Sequence, residues 1–236
     1  MTTIKRPDGR KPDEIRPMKA KVGIVPNADG SAMFQFGETV AIAAVYGPKE
    51  LHPRNQRNPE KGTLRCTYNM ISFSVDDRIR PGPSRRSMEI SKISEWALEP
   101  VVMIGKYPGT VVDVHIQILQ ANASTRCAGI NAAAMALAHA GIPMKDLVSS
   151  ISIGKLDKSL VVDVNKAEED WEEGEGATDM AMSFTSSKGK LTHIQLDGHI
   201  TSKQLKEAVR LGREAIKKVY ALQKKALKNV GEEISE

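Results

Sequence analysis

VVDVHIQILQANASTRCAGINAAAMALAHA, residues 111–140, changes texture twice within thirty positions. Its first third, 111–119, alternates apolar and polar residues, the period of a half-buried strand. Its last part, from Thr125 to Ala140, is almost all small and apolar and ends at Gly141 and Pro143, which marks a helix with a stop signal. Small residues all round predict a helix buried on every side. A strand feeding directly into a buried helix predicts an α/β (α+β) chain. The junction holds Ser124, Thr125 and Arg126.

Outward from this junction the pattern repeats. Strands are predicted at 19–25, 31–36, 39–46 and 63–75, with Gly37-Glu38 as a tight hairpin between the second and third. Ser84 is placed to cap a helix carrying Ile90, Ile93, Ala97 and Val101 at steps of three and four. The second half shows strands at 147–154, 159–164, 178–185 and 190–197. A long helix follows from Ser202, with Leu205, Val209, Gly212, Ile216 and Val219 on one face. The expected organisation is an extended arm at 1–18 and a single domain at 19–230. Its two similar sub-halves meet near residues 145 and 146, and a frayed polar tail follows at 231–236. Parallel and antiparallel pairing are not separable by periodicity.

Composition narrows the function classes. The chain has 236 residues and a formal net charge of +5, which favours a polyanionic partner. Aromatic residues make up only 4%, so nucleic-acid binding would rest on charge more than on stacking. Cys66 and Cys127 are too few for a Cys-rich zinc site or a disulfide scaffold, and a reduced, cytoplasmic setting is the simplest reading. No apolar run approaches a membrane span, and the start, MTTIKRPDGRKPDE, lacks the apolar core of a signal peptide. There is no G-x-S-x-G, no P-loop and no G-x-G-x-x-G, and the five histidines show no pair at metal spacing.

Three stretches carry chemistry. In ANASTRCAG, Ser124 or Thr125 is positioned to cap the helix, leaving first-turn N–H groups and a positive dipole end facing outward. Arg126 in that first turn is electrostatically odd unless an anion lies in front of it, and two hydroxyls, N–H groups and a guanidinium make an oxyanion cradle. The same residues also read as an ordinary cap with a surface arginine. In DDRIRPGPSRRS (76–87), Arg78, Arg80, Arg85 and Arg86 fall on and just after a stiff loop, suited to a sugar–phosphate backbone. They read equally as a solvated loop paired with Asp76, Asp77 and Glu89. The loop LHPRNQRNPE adds Arg54 and Arg57, and together these loops form a basic groove if they meet in space. In NKAEEDWEEGEGATDM (165–180), seven of sixteen residues are acidic. Asp170 and Asp179 are suited to Mg²⁺, or one of them to donating a proton. The alternative is an exposed acidic loop.

RPDGRKPDEIRP, GSAMFQFGETVAIAAVYGP, PGPSRRSMEIS and ANASTRCAGINAAAMALA, in this order, resemble the RNase PH superfamily, most closely the catalytic subunits of archaeal exosomes. The resemblance covers nearly the whole chain. It implies an RNase PH-like fold of two βαβα-type halves, of the ribosomal protein S5 domain 2-like kind. It also implies a phosphorolytic 3′→5′ exoribonuclease that releases nucleoside diphosphates and runs in reverse to tail RNA. By resemblance, Ser124, Thr125 and Arg126 bind inorganic phosphate, the co-substrate; Ser124 replaces a commonly occurring Gly. Arg85, Arg86 and Arg54 contact RNA. Asp170 and Asp179 serve acid catalysis and Mg²⁺, with Glu169, Glu173 and Glu175 able to take one of these places. The implied partners are RNA, an inactive homologous subunit alternating in a hexameric ring, and RNA-binding cap subunits, with no membrane. Two other readings remain: an RNase PH-type enzyme trimming tRNA 3′ ends, and a non-catalytic RNA-binding ring subunit.

Overall fold

The computed structural model describes residues 6–172, 174 and 176–235; Glu173 and Glu175 lie outside the described residues. Its first sheet contains β1 (Met18–Val22), β2 (Gly30–Phe36), β3 (Thr39–Glu50), β4 (Thr63–Met70), β5 (Thr110–Gln120) and a C-terminal strand, β10 (Glu233–Ser235), in the order β10-β1-β2-β3-β5-β4. The second sheet contains β6 (Val148–Leu156), β7 (Ser159–Val162), β8 (Ala177–Thr185) and β9 (Leu191–Asp197), in the order β7-β6-β8-β9. The helices are α1 (Arg85–Leu98), α2 (Thr125–His139), the single turn α3 (Lys166–Glu169) and α4 (Ser202–Lys228). Pairing is antiparallel except between β4 and β5, which run parallel with Thr63 opposite Val111 and Met70 opposite Ile118. Helix α1 is the crossover that a parallel pair requires.

The opening stretch explains how the halves join. Helix α2 packs against β2 and β3 of the first sheet and β6 of the second. Cys127 through Leu137 are all buried. A helix between two sheets has no solvent face, so its sequence shows no polar stripe. Its side chains must also be small. A Cβ on Gly30 would fall 2.3 Å from the backbone nitrogen of Ala140, and one on Gly129 would fall 2.9 Å from Ile116 Cγ2. Helix α4 behaves as its periodicity predicts. Thr201 and Gln204 form a capping box, and Ala208, Ala215, Ile216, Val219 and Leu222 are buried. Gly212 lets the helix approach the Phe184 ring, since a Cβ there would stand 3.1 Å from it.

The chain ends and the fourth strand refine the sequence expectation. The tail is not loose, because residues 233–235 form β10 on β1, with Ala20 opposite Ile234 and Ile234 buried. The N-terminal arm packs on the second half. Arg6 is fully buried and donates to both Glu168 carboxylate oxygens, at 2.6 and 2.9 Å. The strand expected over 63–75 ends at Met70, and a turn follows with the Ser74 N–H donating to the Ile71 carbonyl. Both chain ends therefore cross between the halves: the arm reaches β7 and α3, and β10 returns to the first sheet.

Candidate active site

A cleft opens where β5 ends and α2 begins, bounded by the 73–79 turn, the start of α1, and the strands β6 and β8. It comprises a 690 Å³ cavity and an adjoining 480 Å³ cavity, which share Arg86, Arg126, Glu169 and Asp179 as walls. The sequence-predicted residues divide sharply between those the fold gathers here and those it does not.

Ser124, Thr125 and Arg126 all line the larger cavity. Ser124 is not a helix cap of the ordinary kind. It adopts left-handed φ and ψ of 54° and 20°, and its side chain makes no cap hydrogen bond to α2. Its hydroxyl instead meets Ser152 Oγ at 2.7 Å and donates to the Val164 carbonyl at 3.1 Å. Among the described residues the first-turn N–H groups of α2 consequently have no side-chain acceptor, and they carry the helix's positive end toward the cleft. Thr125 is buried, and its Oγ1 accepts a hydrogen bond from Tyr68 on β4 at 2.9 Å. Burial pushes the Tyr68 hydroxyl above its ordinary pKa, so it remains a donor. Arg126 reaches across the cleft to Gln195 on β9, which donates in turn to Glu89 on α1 at 2.8 Å.

Of the arginine pair, Arg86 forms part of both cavity walls, whereas Arg85 forms part of neither. The reason is helical geometry: successive residues at a helix start project about 100° apart. Arg54 lies elsewhere, on a 3-10 turn in the loop that enters β4. The cleft is at the other end of β4 and β5, so these basic loops do not meet within one chain.

The acidic stretch also divides. Asp179, on β8, projects into both cavities. Burial, then the neighbouring Glu169 carboxylate and Asp197, push its carboxyl up to about 6, against an opposing pull from Arg126. Its Oδ1 is buried without a hydrogen-bond partner among the described residues. Asp197 is directly opposite on β9, and like charges across a strand pair repel. Asp170 is not part of the cleft: it is exposed and ion-paired with Lys166 at 2.7 Å, while the preceding residue, Glu169, lines both cavities. Three contributors escaped sequence reasoning. Gln195 and Asp197 come from a strand with no motif, and Phe73, 80% exposed, stands at the rim.

No group of three or more metal-ligating side chains exists among the described residues. One or two carboxylates completed by substrate phosphate oxygens are sufficient for Mg²⁺, and the unpartnered Asp179 Oδ1 beside Glu169 fits that role. The arrangement can therefore hold anions on one wall and a proton or cation on the other.

Two family models match end to end, the 3′ exoribonuclease family domain 1 over residues 14–143 and its domain 2 over 146–215. The chain is 48% identical to exosome complex component Rrp41 of Methanopyrus kandleri, covering 94% of this chain and 92% of that protein. It is 49% identical to Rrp41 of Thermococcus kodakarensis, covering 95% and 88%. The crystal structure of rice Rrp46 superposes with a TM-score of 0.83 at 26% identity, covering 94% of this chain and all of that one. No described helix is long and apolar enough to cross a membrane. With both domain models spanning most of the chain and this fold beneath them, the protein belongs to the 3′ exoribonuclease family of RNase PH type.

Proposed function

We propose that this protein is a phosphate-dependent 3′→5′ exoribonuclease and a catalytic ring subunit of an exosome. The observation that carries this reading is the pairing, in one cleft, of an uncapped helix N-terminus bearing Thr125 and Arg126 with a buried carboxyl, Asp179, held near 6. The first binds an attacking phosphate. The second is suited to protonating a leaving oxygen.

In this mechanism inorganic phosphate occupies the α2 N-terminus, held by backbone N–H groups, the Thr125 hydroxyl and Arg126. Ser124 shapes the site through its backbone. Arg86 neutralises the terminal phosphodiester of single-stranded RNA, and Phe73 offers a ring face to a base. A phosphate oxygen bonds to the RNA phosphorus in line with the breaking bond to the 3′ oxygen. That oxygen takes the proton from Asp179, and a nucleoside diphosphate leaves. Positioning and charge neutralisation supply most of the acceleration. Glu169, completed by substrate phosphate oxygens, would hold Mg²⁺, which when bound offsets charge on the reacting phosphates and leaves Asp179 free to carry the proton. The reverse reaction extends RNA when diphosphates are in excess. Arg54, away from the cleft, guides RNA on its way to the site. The partners are RNA, an inactive homologue alternating with this chain in a hexameric ring, and RNA-binding cap subunits, in the cytoplasm.

The test is 5′-labelled single-stranded RNA with magnesium, with and without phosphate, using this chain alone and with its ring partner. Stepwise shortening that requires phosphate and yields diphosphates is expected. Shortening without phosphate to monophosphates, or binding without cleavage in every combination, overturns the proposal.

A further inference from the structure

The cleft's anion wall rests on an unusual backbone. Four described non-glycine residues have left-handed φ, and three of them converge here: Ala123 at 55°, Ser124 at 54° and Asp163 at 57°. Such residues persist only where their surroundings over-determine them. One arginine from the N-terminal arm touches both strained segments. The Arg16 backbone N–H and Nε donate to Asp163 Oδ2, each at 2.8 Å, and Nη2 donates to Oδ1 at 2.7 Å. Its remaining nitrogen, Nη1, donates to the Asn122 carbonyl at 2.5 Å, immediately before the strained pair. From the opposite side Thr39 Oγ1 lies 2.9 and 2.8 Å from the Asn122 and Ala123 carbonyls.

Asp163 is fully buried, and the backbone at 163–164 meets Ser152, whose hydroxyl is hydrogen-bonded to that of Ser124. This arrangement diverts Ser124 from capping α2, which keeps the helix N-terminus open toward the cleft. It also fixes where Thr125 and Arg126 begin. The tie runs from the first half, at Arg16 and Thr39, to the second half, at Ser152 and Asp163, so it sets the anion wall relative to the β8 strand bearing Asp179.

We infer that Arg16 and Asp163 are positioning residues for the phosphate site, holding the 122–124 backbone in the conformation that exposes the α2 N-terminus to phosphate. This rests on the reading of the cleft given above. Neither residue lines the cleft, so neither is a catalytic residue.

The experiment measures RNA shortening against phosphate concentration, in the assembly that is active, for wild type, Asp163→Asn, Arg16→Gln and Arg16→Lys. Melting temperature is followed in parallel with inorganic phosphate alone. Asp163→Asn and Arg16→Gln are expected to raise the phosphate KM about tenfold or more, while kcat at saturating phosphate falls less than about threefold. Arg16→Lys keeps the charge but cannot span both Asp163 and Asn122, so it should fold and fall between; it decides the matter if the other two fail to fold. Stabilisation by phosphate should shift to higher concentrations in parallel. Variants that lose only folded fraction, with phosphate KM and phosphate stabilisation unchanged, overturn the positioning role alone. A wild type indifferent to phosphate in both measurements overturns the phosphate site as well.

Discussion

Tyr68 donates its hydroxyl proton to Thr125 Oγ1 across 2.9 Å, inside a wall where both side chains are buried. This bond occupies an acceptor site on Thr125 and turns the threonine proton outward, so a residue of β4 makes the first residue of α2 a donor to an anion. Tyr68→Phe removes that polarity with almost no change in volume. A single neutral hydrogen bond is worth about 0.5–1.5 kcal/mol, so the phosphate KM should rise by roughly two- to tenfold. Steady-state kinetics over phosphate concentration checks this, and an unchanged KM would show that Thr125 orients itself without help.

Asp179 predicts a trade between stability and activity. Its folded value of about 6 exceeds the ordinary 3.8, so the folded protein binds this proton more tightly than the unfolded chain. Its contribution to stability is therefore present at low pH and lost as pH rises through about 6. Near neutrality the ionised buried carboxylate costs on the order of 3 kcal/mol. Asp179→Asn should melt at a higher temperature than wild type at pH 8, with the difference closing by pH 4, and should abolish turnover. Thermal melts across pH, beside the RNA assay, decide it. Asp170→Asn, on the exposed Lys166 pair, should leave both readouts close to wild type, since such pairs contribute about 0–1 kcal/mol.

The adjacent arginines should separate in a salt titration. Arg86 lines the cleft and Arg85 does not. Arg86→Ala is expected to weaken single-stranded RNA binding and reduce the slope of log affinity against log salt by about 0.7, the value for one phosphate contact. Arg85→Ala should shift the slope by much less. Equal effects would mean that RNA approaches along the outside of α1 and not through the cleft.

Arg6 and Glu168 form an ion pair with neither side chain exposed to solvent. Removing Arg6 takes away the two short bonds to Glu168 and leaves that buried carboxylate with only the more distant Arg10, at 3.5 Å. Arg6→Met should therefore destabilise the protein by about 3–5 kcal/mol in denaturant unfolding. The double variant Arg6→Met with Glu168→Leu should recover much of that loss. Additive losses would show that each residue acts mainly through its other hydrogen bonds.

The architecture was largely legible because it rests on local periodicity. The alternation at 111–119 became β5, the small-residue run became α2, and the face through Gly212 and Ile216 became the buried stripe of α4. The order of motifs pointed to the family, and Thr125, Arg126, Arg86 and Asp179 do converge. The departures from expectation came where a single position matters. Asp170 and Glu169 are neighbours and both pair with Lys166, yet only Glu169 lines the cleft. Asp197 and Gln195 reach the site through the pairing of β9 with β8, which no motif marks.

By itself, then, the sequence determined the elements and the chemical groups available, since hydrophobic period, cap residues and residue type act over a few positions. Only the tertiary structure decided which groups share a cleft and in what state. The proton affinity of Asp179 depends on burial and on Glu169 and Asp197, and the left-handed backbone at Ala123 and Ser124 is held by Arg16, Thr39 and Ser152, distant in sequence. Desolvation and strain are properties of surroundings, and the surroundings exist only once the chain has closed on itself.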